Sequence, residues 1–149
     1  MFDVETGNRK FESLTKYLCL MDENNIGTWV IDRKNNGTPE HPVQLPFVNY
    51  VDMVYRFIRD VYEFSERNKD FELVRYDEVL EKNGLEQNVK SMLEADVSSL
   101  DAKCVMALIM GVIRAERFCE GVLLNFFQKG IIRKWLERLQ AMDESCCLE

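Results

Sequence analysis

Apolar residues recur at helical spacing along most of the chain. Phe11, Leu14, Leu18 and Met21 mark one face and predict a first helix over 11–21. From 24 to 41 the period fails, and Asn24-Asn25, Asn35-Asn36-Gly37 and Pro39 punctuate the segment. Trp29-Val30-Ile31 and Val43-Gln44-Leu45 are the segments able to pair as a short hairpin near 28–46, across a long loop. Asn49 is the expected N-cap of a second helix with the stripe Val54, Phe57, Ile58, Val61 and Phe64, broken at Asn68-Lys69-Asp70. A short helix over 76–83 should stop at Gly84, and a weaker one is expected over 86–94.

Ser98 and Asp101 resemble a capping box that opens the most apolar helix of the chain, about 99–118. Between Cys104 and Ile113 this helix is apolar around nearly its whole circumference, as a helix surrounded by others must be. Ala107, Gly111 and Ala115 form a line of small residues that admits a close neighbour. Gly121 predicts a break before a helix over 122–128, and Lys129-Gly130 a turn. A last helix over 131–142 should bury Ile131, Ile132, Trp135, Leu139 and Met142 and expose Arg133, Lys134, Glu137 and Gln140. The expected fold is mainly α. It is a helical bundle forming one domain over 1–149 around the central apolar helix, with flexible ends at about 1–8 and 143–149.

Length and composition agree with this picture. A chain of 149 residues, 46 % hydrophobic and 30 % charged, suits one domain that buries about two thirds of its unfolded surface. The longest uncharged apolar run, 104–113, is half the roughly 20 residues a membrane span needs. The polar, acidic N-terminal stretch lacks the apolar core of a signal peptide, so the expected compartment is the cytoplasm.

Candidate chemistry is sparse. The five cysteines (Cys19, Cys104, Cys119, Cys146 and Cys147) are odd in number and irregularly spaced, which does not make a disulfide framework. Cys104 and Cys119 lie in apolar stretches and are expected to act as small hydrophobes. No Cys-x2-Cys pair offers zinc ligands, and the only histidine, His41, sits between Glu40 and Pro42 in a loop. Phosphate-loop and dinucleotide motifs are absent, so neither cofactor nor metal is expected. Adjacent acids such as Asp22-Glu23 and Asp77-Glu78 diverge by about 100° on a helix and do not converge on one proton or metal. No set of residues stands out as catalytic.

One acid breaks the apolar pattern. If the central helix runs on regularly, Glu116 falls on the stripe of Val105, Leu108, Ile109, Val112, Cys119 and Leu123. A carboxylate there needs a partner or a proton. The favoured reading is an Arg–Glu bridge to Arg117, Arg133 or Arg138 that locks the two C-terminal helices. The alternative is a tuned acid in a cleft.

The run Arg114-Ala115-Glu116-Arg117-Phe118-Cys119-Glu120-Gly121, followed by Trp135-Leu136-Glu137-Arg138-Leu139, resembles the C-terminal half of a family of small bacterial and phage proteins known only as a domain of unknown function. Its motif reads Arg-Gly-Glu-Arg-Phe-Cys-Asp-Gly, then Leu-Leu-Glu-Arg-Leu, so Ala115 and Glu120 are mild departures. Residues 50–62 resemble that family's Tyr-x-x-x-Val-x-x-Phe helix more loosely. The resemblance implies a helical core and a bacterial or mobile-element setting, and gives Arg114, Glu116, Arg117, Phe118 and Gly121 weight as a unit. It implies no activity.

Charge bears on partners. The net charge is −7, with 12 acids against 5 bases over 60–101 and 6 bases against 3 acids over 114–138. An acidic chain is a poor ligand for a phosphate backbone. The candidate docking face is Asp60, Glu63, Glu66, Asp70, Glu72, Asp77, Glu78 and Glu81, and its expected partner is another protein with a basic surface, bound salt-sensitively. A homodimer is also compatible with the sequence. Neither nucleic acid nor membrane is an expected direct partner. The favoured function is therefore a non-enzymatic interaction protein, in its narrower form a phage or mobile-element inhibitor of a nucleic-acid enzyme. The alternative is an enzyme or small-ligand binder with a cleft around Glu116 and Arg117.

Overall fold

The computed structural model describes residues 9–148, with side chains through 145. Seven α-helices occur among the described residues, in the order α1 (Glu12–Thr15), α2 (Asp52–Arg67), α3 (Tyr76–Lys82), α4 (Val89–Glu94), α5 (Ala102–Ala115), α6 (Val122–Gln128) and α7 (Ile131–Leu148). A two-stranded hairpin, β1 (Gly27–Val30) and β2 (Phe47–Tyr50), stands between α1 and α2. The fold is mainly α, as the periodicity predicts.

α5 is the axis of the core. Every residue from Cys104 to Ile113 is buried, and α3, α4, α6 and α7 pack around it. Asp101 caps it, accepting a hydrogen bond from the Cys104 amide at 2.9 Å. Ser98 does not take part in this cap. It belongs to a preceding 3₁₀ turn, Val97–Ser99, capped by Asp96. Gly111 lets α3 and α4 close on the axis, because a Cβ there would lie 3.0 Å from Met92 Sδ and 3.4 Å from the Tyr76 ring. The small-residue line thus acts in packing, at its middle member.

Several sequence expectations shift. The first helix is short and tightens into a 3₁₀ turn at Lys16–Cys19, where Tyr17 turns into the core. The hairpin exists, but its second strand is Phe47–Tyr50 and not 43–45. The register pairs Gly27 with Tyr50 and Val30 with Phe47. Strand pairing wants alternate side chains with a core to face. Val48 and Tyr50 have one, whereas Val43 and Leu45 face solvent. Asn49 is consequently a strand residue, and α2 starts after Val51 without a side-chain cap. α4 opens later than expected, capped by Asn88 accepting from the Ser91 amide at 2.8 Å.

The C-terminal end is a further correction. α7 continues to Leu148, and Asp143, 5 % exposed, accepts from the amides of Lys10 at 3.0 Å and Phe11 at 2.9 Å. The expected flexible segment therefore begins as an anchored helix that holds the start of α1. The expected flexible end at 1–8 lies outside the described residues, as does residue 149. Arg133, expected in solvent, is half-buried. Its Nη2 donates to Met21 O at 3.0 Å and to Glu23 Oε1 at 3.1 Å, tying the N-terminal segment to α7.

Candidate functional site

The motif 114–121 forms the end of α5 and the turn into α6. The helix stops at Ala115, whose carbonyl accepts from both Phe118 and Cys119 at 3.0 Å. The turn closes on Gly121 at φ +92°, backbone that a side chain strains. Glu116 is the last residue to keep helical backbone, its amide donating to Val112 O at 3.2 Å, so it ends the stripe at the core's edge and the regular helix fails just beyond it.

Glu116 is half-buried and does not pair with arginine. Its Oε2 accepts from the Gly121 amide at 3.1 Å and its Oε1 from the Leu123 amide at 2.9 Å. These are amides at the start of α6, which lack partners within the helix. The expected bridge to Arg117, Arg133 or Arg138 is therefore not formed, because the turn aims the carboxylate at backbone donors. Tyr50 joins the cluster, its hydroxyl accepting from the Leu124 amide at 3.0 Å. Burial first, and then the neighbouring Glu116 carboxylate, push the Tyr50 hydroxyl well above its ordinary pKa. The segment 50–62 and the turn 114–121 meet here. Tyr50 is the first residue of the former, and Val54 and Phe57 follow it into the core.

The turn also grips the hairpin. Glu120 Oε2 accepts from the Val48 amide at 2.8 Å, and a Cβ at Gly121 would overlap the Trp29 indole. Sequence reasoning did not single out Trp29. Its signal was the large aromatic that opens the apolar run Trp29-Val30-Ile31, which needs a surface to cover.

The other motif residues face outward. Arg117 is exposed and donates to the Tyr62 hydroxyl at 3.3 Å. Phe118 is 90 % exposed, and Cys119 is exposed too, so only Cys104 acts as the buried hydrophobe expected of both. Burial raises the Cys104 thiol to about 11. Arg114, Phe118 and Cys119 share with Tyr76, Gln87 and Met92 the rim of a cavity of about 250 Å³ beside α5. Trp135 lies in the core. Arg138 is half-buried on α7, where Nη2 donates to Leu100 O at 3.1 Å.

The acidic face is smaller than the sequence count. Asp60, 5 % exposed, is a core acid and not a docking residue. Tyr17 donates to it, and Lys16 and Arg59 lie at 3.4 and 3.3 Å. Burial works against its charge, but the Tyr17 hydrogen bond and Lys16 outweigh it and hold the carboxyl below its usual range. Glu63 pairs with Arg67 at 3.6 Å, Glu78 with Arg75 at 3.7 Å, and Glu72 with Lys103. Glu66, Asp70, Asp77 and Glu81 are exposed and form no ion pair among the described residues.

Among the described residues no helix is long and apolar enough to cross a membrane. No group of three or more His, Cys, Asp or Glu there is placed to hold a metal ion. No curated protein matches the chain, and no solved structure matches it either. A family model does match, over residues 8–145, nearly the whole chain. The turn that joins Tyr50, Glu116 and Gly121 thus lies inside a domain described as a family of unknown function (DUF6508), and the chain belongs to that family.

Proposed function

We propose that the protein acts by binding another protein, setting exposed carboxylates of the α2–α3 region against a basic surface. The observation that carries this reading is the group Glu66, Asp70, Asp77 and Glu81, charged, solvated and without internal ion pairs in a chain of net charge −7. Exposed carboxylates of this kind attract the lysines and arginines that other proteins turn toward phosphate. Val74, exposed on the rim of a cavity of about 280 Å³ that Glu66, Glu72, Lys69 and Arg75 also line, adds an apolar contact. The narrower form is an inhibitor of a nucleic-acid enzyme, working in the cytoplasm of a bacterium and encoded by a phage or mobile element.

The test is capture from bacterial lysate by the wild-type chain and by Glu66→Lys/Asp77→Lys/Glu81→Lys, each at low and high salt. The expected result is one basic protein, retained by wild type at low salt only and lost to the variant at every salt. Binding that ignores both salt and the three substitutions overturns the reading, as does no capture. Charge pairing at a solvated rim is screened within about 10 Å at 0.1 M salt, which sets the salt range.

A further inference from the structure

Arg56, Arg59, Arg67, Arg75 and Arg133 all pair with carboxylates of the folded chain. Arg114 does not. It is half-buried at the end of α5, and its guanidinium makes no hydrogen bond or ion pair among the described residues. A half-buried arginine has given up part of its hydration and gains when an anion takes that place. The side chain lines the cavity of about 250 Å³ between α3, α4 and α5, and no acid among the described residues lines it as well.

The rest of the cavity is an apolar floor with few polar groups. Met92 Sδ and the Tyr76 ring sit against α5 where Gly111 leaves room for them, and Val89 and Ala115 extend that surface. Asn88 is committed elsewhere: its Oδ1 accepts from the Ser91 amide and its Nδ2 donates to Glu86, both at 2.8 Å. The Tyr76 hydroxyl accepts from Gln87 Nε2 at 2.9 Å, which leaves one proton on each of these groups for a ligand. Phe118, exposed on the rim, offers a ring face that the fold does not cover. The floor is held by packing and the rim by the α4 cap, so little order is lost on binding.

We propose that this cavity binds a small aryl carboxylate. Charge selects the anion, since one unpaired arginine stands in a lining without acids. The number of donors selects the carboxylate. The guanidinium fork offers two parallel N–H groups, and Tyr76 and Gln87 add one proton each, which together match the roughly four lone-pair sites of a carboxylate. A phosphate dianion brings more acceptor sites than these groups fill. The apolar floor and the Phe118 ring select a flat, apolar body. The cavity is smaller than the roughly 300–1,000 Å³ of sites for drug-sized molecules, which suits a single ring system. Cys119, exposed on the same rim, lies beside the bound molecule.

The experiment is titration of the full chain with benzoate, phenylacetate and indole-3-acetate, followed by the Met92 methyl and the Ala115 and Phe118 amide resonances. At least one of the three should saturate these signals at millimolar concentration or below. Benzamide, which lacks the charge, acetate, which lacks the ring, and phenyl phosphate should each bind about tenfold more weakly than the best carboxylate. Arg114→Met should weaken that carboxylate about tenfold, and Phe118→Ala about threefold. Both variants should keep the wild-type circular dichroism and melting temperature, because Arg114 has no polar partner to lose and Phe118 lies in solvent. Arg117→Met, at the neighbouring arginine outside the cavity, should leave binding unchanged. The bound carboxylate should also slow alkylation of Cys119 by iodoacetamide, while Cys19, exposed and outside the cavity, reacts at its original rate. Failure of all three carboxylates to saturate the signals overturns the proposal. So does equal binding of benzamide or phenyl phosphate, or binding indifferent to Arg114→Met or to Phe118→Ala. The cavity shares no residue with the acidic face, so either reading can fail without the other.

Discussion

Trp29 occupies the space that a side chain at Gly121 would need: its Cη2 lies 3.0 Å from where a Cβ would stand. Gly121 also holds φ +92°. One glycine therefore serves two purposes, turning the chain between α5 and α6 and receiving the hairpin.

Gly121→Ala should accordingly cost more than a turn glycine usually does. Left-handed backbone alone costs about 1 kcal/mol for alanine, and displacement of the indole adds to it. Gly84 is the control, with φ +77° and nothing within 4 Å of its Cβ position. Urea unfolding of both alanine variants should show a clearly larger loss for Gly121→Ala. Equal losses would mean that the Trp29 contact contributes nothing.

Glu116 caps α6 through two backbone amides, and a cap of this kind contributes about 1 kcal/mol. Glu116→Gln keeps one carbonyl oxygen as acceptor and should lose less than that. Glu116→Ala should lose more, about 1–2 kcal/mol. A buried ion pair would behave differently, with roughly 3–5 kcal/mol lost in both variants. Thermal melts of the two proteins decide between these outcomes.

Two of the five tyrosines should resist alkali. Burial, then the Asp60 carboxylate, raise Tyr17 to about 12, and Tyr50 moves in the same direction. A native state that keeps its proton while the unfolded chain loses it at about 10 gains stability that is complete below pH 10. That stability drains as pH climbs toward the native value. Tyrosinate absorbance should thus show two groups ionising late and together with unfolding. Five independent titrations near pH 10 would contradict both sites.

Arg133 holds the N-terminal segment by a forked donor that reaches Met21 O and Glu23. The pair is about a third exposed, so solvent screening keeps Arg133→Ala to about 1–2 kcal/mol. Arg133→Lys should recover little, since an ammonium cannot span both acceptors. Hydrogen exchange should locate the effect, with faster exchange in the first helical turn and unchanged protection in α5. Full rescue by lysine would show that charge alone is at work.

The local pattern along the chain determined the helices, because burying one stripe of a helix is a matter of spacing that neighbouring residues settle among themselves. α2, α3, α5, α6 and α7 follow their apolar stripes, and Gly84, Gly121 and Gly130 end or open them at positive φ, as glycine allows. The circumference of α5 was enough to place it at the centre. Tertiary structure alone decided where polar groups go. Glu116 looked like a core acid in need of an arginine, but the turn that follows it brings backbone amides 5 and 7 residues ahead onto its carboxylate. Asp60 looked like a surface acid until Tyr17, 43 residues away, came to lie against it. The hairpin partner of Trp29 depended on a core for Val48 and Tyr50 to enter. Such choices rest on contacts between distant segments, where a hydrogen-bond partner is selected by direction and distance in space, and neither is encoded in the period of a single element.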